Sequence, residues 1–264
     1  AVNGRLRVKA IRLRGEPSFG TIQRPRQDWP VGTDVSTIYD ITKYTPVVRI
    51  SGDQAHDVPA FHKYTSIEHY GNYPNMLKEG EEVVVMEKIH GTNSRVGLIW
   101  HAKPDPVITW WDRLKHCFGY PLPRGGFEWQ WMAGSHNTHR KEGEYWMPLE
   151  LSHVKPAINR IKDDFEAKSA VIVYGEIFGP GVQDMNYGRK CKDYKVFDVS
   201  VDGKYIDYDQ LRYYFAVEHM APVLYKGPFS RAKMDELVSG PTQVGKVTEG
   251  FKGREGIVIR PVIE

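Results

Sequence analysis

From Val83 onward the chain carries a series of short apolar or alternating runs. Each is about one strand long and each is closed by Gly, Pro or Asn, a pattern that restricts the fold to one built mainly of sheet. Val83-Val84-Val85-Met86 is a continuous apolar run, as expected of a buried strand. Ser94 to Trp100 alternates and is expected to pair with it antiparallel, across a turn at His90-Gly91-Thr92-Asn93 where Gly and Asn tolerate positive φ. Residues 127–133, 170–178, 194–201 and 256–263 read as further strands, with a hairpin at Asp202-Gly203 and Pro261 marking an edge. Helices are expected over 155–168, with Pro156 in the first turn, over 209–220, with Leu211, Tyr214 and Phe215 on one side, and over 230–238, with Ser230 as N-cap. The predicted class is α+β: antiparallel sheets with a few helices outside.

The flanks are less regular. Residues 5–23 read as two short strands around a turn at Gly15-Glu16-Pro17. Arg5, Arg7 and Lys9 would share one face, either solvated or turned to phosphate. Residues 24–66 are rich in Pro, Asp, Thr and Gly and read as a linker or a wrapping segment, with the main domain starting near Tyr64. Residues 101–126 look like an insertion.

With 264 residues, 41% hydrophobic and 26% charged, the chain can bury a real core, and a net charge of +3 permits nucleic-acid binding without demanding it. Two distant cysteines, Cys117 and Cys191, rule out a disulfide framework, argue against structural zinc and fit a reducing intracellular compartment. No apolar run approaches the roughly 20 residues of a membrane span, and no signal-like segment opens the chain.

The chemistry concentrates at Glu87-Lys88-Ile89-His90-Gly91-Thr92-Asn93, where a lysine directly follows a buried strand. A neutral amine is a nucleophile and an ammonium is not. Bringing a lysine from about 10.4 to near 7 takes roughly 4–5 kcal/mol, which partial burial and a nearby divalent cation could supply.

EKIHGTN resembles the KxxG nucleotidyl-acceptor motif of polynucleotide ligases and capping enzymes, and most closely that of the RNA ligase 2-like group of ATP-dependent RNA ligases. Four further segments follow in the order of that superfamily: SHNTHR from Ser135 to Arg140, YGEIFG from Tyr174 to Gly179, VFDV from Val196 to Val199, and EGIVI from Glu255 to Ile259. The resemblance spans about residues 64–264. It implies an antiparallel-sheet nucleotidyltransferase (ATP-grasp-like ligase) domain over 46–264, with a partial OB-like module and linker over 1–45. It also implies ATP with Mg²⁺ or Mn²⁺, and as substrate RNA with 3′-OH and 5′-phosphate ends, in particular a nicked duplex.

By the same resemblance, Lys88 would carry AMP, the backbone at Glu87 and Ile89 would read the adenine edge, and Phe197 would stack on the purine, with Asp198 orienting its neighbours. Glu176 would contact ribose or metal, Glu255 would help hold the metal near the α-phosphate, and Asn93 would touch the ribose or a metal-bound water. Ser135 and Arg140 would bind the nucleotide. His136 stands where the family often has Arg and lacks a guanidinium's paired donors. The family pattern also places one more strand, bearing two lysines, after EGIVI, and a full five-stranded barrel before residue 24; about two of those five strands fit here. A DNA ligase, a capping guanylyltransferase or an inactive nucleic-acid-binding module remain as alternatives.

Overall fold

In the computed structural model the described residues are 11–13, 16–18, 24, 27–31, 33–40, 53–73, 75–103, 105–247 and 253–263. The chain divides into compact units over 1–49 and 50–264. In the first, β1 (Ile11–Leu13) pairs antiparallel with β2 (Glu16–Ser18). Glu16 and Pro17, expected in the turn, therefore belong to a strand. Arg5, Arg7, Lys9 and Gly15 lie outside the described residues.

The second unit contains two antiparallel sheets. The first elements are β3 (Glu82–Lys88), β4 (Thr92–Ala102), helix α1 (Trp110–Cys117), β5 (Phe127–Ser135) and β6 (His139–Arg140). Helices α2 (Met147–Glu150) and α3 (Val154–Asp164) lead to β7 (Ala170–Phe178), β8 (Asp193–Val201) and β9 (Lys204–Tyr205). Then come α4 (Tyr208–Tyr214), β10 (Val223–Pro228), α5 (Arg231–Leu237) and β11 (Gly256–Pro261). The sheet orders are β10-β3-β11 and β6-β5-β4-β7-β8-β9.

The α+β class is as expected, but one pairing differs. β3 and β4 do not form a hairpin; each lies in a different sheet, β3 between β10 and β11 and β4 between β5 and β7. The physical reason lies in β3 itself. Val84 and Met86 face the main core with α3, while Val83 and Val85 face a second cluster with Met234 of α5 and with Phe229, which precedes that helix. A strand apolar on both faces satisfies itself as a centre strand covered twice. The turn residues His90 to Asn93 also lack positive φ. Gly91 is needed for another reason: a Cβ there would lie 2.3 Å from the Ile177 carbonyl oxygen of β7. The chain thus crosses between sheets at Gly91, packed against β7.

Other boundaries moved locally. α3 ends at Asp164, and the helix expected over 209–220 stops at Tyr214, because Phe215 turns extended and buries its ring. Ser230 occupies the N-cap of α5, but its side chain caps nothing; Glu79 accepts from the Arg231 N–H instead. β10 and α1 had no counterpart in the sequence reading. The hairpin at Asp202-Gly203 is present, with φ of 50° and 86°. Upstream, Val58 and Phe61 pack on the outer face of the large sheet, where Arg95 donates to the Phe61 carbonyl at 2.8 Å. No described helix is long and apolar enough to cross a membrane.

Candidate active site

Because β3 and β4 part company at Gly91, the end of β3 and the start of β4 border a cleft between the two sheets. A cavity of about 360 Å³ opens there, lined by Glu87, Lys88, Ile89, Asn93, Glu176 and Phe197 among others. That volume suits a nucleotide-sized ligand. Six of the residues singled out from the sequence therefore line one cavity, although they come from β3 and the link that follows it, β4, β7 and β8.

Each is placed by strand geometry. Asn93 sits directly opposite Glu176 in the β4–β7 register. Gly175 next to it lets Tyr194 and the Lys195 carbonyl close in, since a Cβ would meet them at 2.4 and 2.5 Å. Between β7 and β8 the register jumps: Tyr174 faces Asp198 but Gly175 faces Val196. Phe197 is the extra residue of this bulge, and a bulge re-aims a side chain that regular alternation would place elsewhere.

Lys88, the last residue of β3, forms an ion pair with Glu255. Its side chain is half exposed, so the amine is tied to a carboxylate rather than shut in an apolar pocket. His90 Nδ1 lies 3.5 Å from the other oxygen of Glu255, and the His90 N–H donates to the Tyr187 hydroxyl at 2.7 Å. Burial pushes the Glu176 carboxyl up to about 8; Lys88 opposes that rise and Glu255 adds to it. Asn93 Oδ1 is buried with no hydrogen-bond partner among the described residues. Two electrostatically coupled carboxyls and a spare amide oxygen are hard oxygen donors of the kind Mg²⁺ takes. No three His, Cys, Asp or Glu among the described residues cluster tightly enough to hold a metal. A divalent ion would need phosphate oxygens and water to complete its shell.

Glu87 lines the cavity through its position on β3, but its carboxylate is committed elsewhere. It accepts from the Thr242 hydroxyl and, at 2.7 Å, from the Gln243 N–H, while the Glu87 N–H donates to the Pro222 carbonyl at 2.8 Å. Ser135 and Arg140 do not line the cavity. Ser135 is opposite Ser94 near the same end of the large sheet, and its hydroxyl accepts from the Thr138 N–H at 3.2 Å. Arg140 pairs with Asp53 at 2.7 Å. His136 lies on that loop, its imidazole pushed down by burial and then by Lys63 and Arg95.

Three contributors were missed from sequence. Arg260 of β11, 4% exposed, pairs with Asp198 at 2.9 Å and donates to the Ile206 carbonyl at 3.0 Å. Tyr64 donates its hydroxyl to the other Asp198 oxygen at 2.9 Å, and burial followed by the Asp198 charge raises its pKa. Arg260 and Tyr64 both line the cavity. Tyr187 is the third, through His90. Only a cation beside EGIVI hinted at Arg260; the other two carry no local signal.

No curated protein matches the chain. Its fold is similar to that of a Naegleria gruberi RNA ligase mutant solved with ATP and Mn, with TM-score 0.59 and 19% identity over 96% of this chain and 71% of that one. Another mutant of that ligase, with AMP and Mn, gives 0.57 and 19% over 97% and 72%, and the same ligase with PPi gives 0.54 and 20% over 97% and 71%. A family model for RNA ligase matches residues 81–264, well over half of the sequence and all of the cavity wall from Glu87 to Pro261. The chain belongs to the RNA ligase family.

Proposed function

We propose that this protein seals RNA ends in an ATP-dependent reaction in which Lys88 carries AMP. The observation that carries this reading is the meeting of Lys88, Glu176, Asn93 and Phe197 on one cavity wall, with Glu255 paired to the lysine amine. The Lys88 nitrogen would form a bond to the α-phosphorus as the bond to pyrophosphate breaks, and Glu255, paired with that amine, would accept the proton it gives up. The AMP would pass to an RNA 5′-phosphate, and attack by a 3′-OH would release it as the strand closes. Phe197 offers a ring for the purine. Glu176 and Glu255, with Asn93 through water, would hold Mg²⁺ or Mn²⁺, which would supply charge neutralisation at the α-phosphate.

The test is incubation with α-labelled ATP or GTP and Mg²⁺. Label from ATP that disappears in Lys88→Ala, followed by joining of a nicked RNA duplex, is the expected result. GMP transfer would assign capping chemistry, sealing confined to DNA nicks would assign a DNA ligase, and no label at all would assign a binding module.

A further inference from the structure

At the far end of the β4–β5 hairpin, about 30 Å along β4 from Lys88, the insertion between the strands carries a surface that the cavity does not use. Its helix α1 buries none of its residues. Trp110, Trp111, Leu114 and Phe118 recur at helical spacing on one side, and the two tryptophans are 64% and 54% exposed and stacked on each other, centroids 3.8 Å apart. At the base, Trp100 stacks on Phe127 with planes 18° apart. An exposed aromatic cluster of this kind calls for a partner.

The charges say which kind. The carboxylates here are spent internally: Asp112 closes the α1 cap with Thr109, Asp105 accepts from the Gly125 N–H at 2.8 Å, and Glu128 pairs with Lys103 at 2.6 Å. Arg113 and Arg124 form no salt bridge among the described residues, and neither does Lys115, although its charge reaches Asp112 and, after the Thr109 hydrogen bonds, helps lower that carboxyl's pKa. Open aromatic faces beside cations held in no salt bridge are what bind a single strand, by stacking bases and attracting phosphates.

We propose that the tip of the β4–β5 hairpin binds an unpaired RNA strand, flanking the end held at the cavity, by stacking bases on Trp110 and Trp111 while the cations of this insertion attract its phosphates. The substrate class rests on the ligase reading; the surface itself does not. The test is fluorescence anisotropy of a labelled unpaired RNA of about 20 nucleotides, without ATP. Trp110→Ala/Trp111→Ala should weaken binding at least tenfold. Trp110→Tyr/Trp111→Tyr should restore most of it, and Trp110→Leu/Trp111→Leu should not, because leucine keeps apolar area but offers no ring face. Unchanged affinity in the alanine variant would overturn the proposal, as would full binding by the leucine variant. So would a wild-type dimer that the substitutions dissociate in light scattering, or wild-type binding to anionic phosphatidylserine vesicles that they abolish. Failure of the wild type to take label from ATP would remove the ligase reading and leave this measurement standing.

Discussion

Glu176→Gln offers a direct reading of how the cavity is built. Burial holds this carboxyl at about 8 against an ordinary 4.5. Between those values the folded protein binds a proton that the unfolded chain has released, so stability falls as pH rises. Below 4.5 both states are protonated and the contribution is flat; above about 8 both are ionised and the loss is complete. Each pH unit in the window costs about 1.4 kcal/mol, and the whole window on the order of 5 kcal/mol. Glutamine matches the shape of the neutral acid and does not titrate. Urea unfolding of both proteins in EDTA at several pH values should therefore give near-equal stabilities at pH 4.5. The variant should gain about 2 kcal/mol on the wild type between pH 5.5 and 7 and hold a constant lead beyond pH 8.5. Parallel stability curves across the range would refute the reasoning, because they would mean that Glu176 is already ionised and well solvated in the metal-free fold.

Two further outcomes test the frame around the cavity. Asp198→Ala strands Arg260 in the interior and should cost about 3–5 kcal/mol, whereas Asp198→Leu combined with Arg260→Met should recover much of that loss in the same urea assay. Gly91→Ala places a Cβ against the Ile177 carbonyl and should destabilise by about 1–3 kcal/mol. Gly256→Ala, which meets nothing within 4 Å, should unfold within about 0.5 kcal/mol of the wild type.

The two halves of the problem were legible to different degrees. Strand existence could be read because apolar spacing reports how many faces a segment buries: Val83 to Met86, Ala170 to Phe178 and Gly256 to Pro261 are strands where the pattern puts them. Sheet membership could not, because pairing is a choice among partners distant in sequence. The nearest alternating run to β3 is β4, yet β3 buries both faces only between β10 and β11. β10 itself escaped notice, since Val223 to Pro228 is short and ends in Gly and Pro.

The candidate site divides in the same way. Lys88, with Gly91 and Asn93 close behind it, is a local sequence of residues, and its chemistry can be proposed from those residues alone. That Asn93 faces Glu176, that a one-residue bulge turns Phe197 into the cavity, and that Asp198 is held between Arg260 and Tyr64, 134 positions away, depend on register and packing. Residue type and spacing along one strand are properties of the covalent chain. Which strands meet, and which buried charges are matched, follow from the free energy of the whole assembly, where desolvating a charge is tolerated only if a distant partner arrives with it.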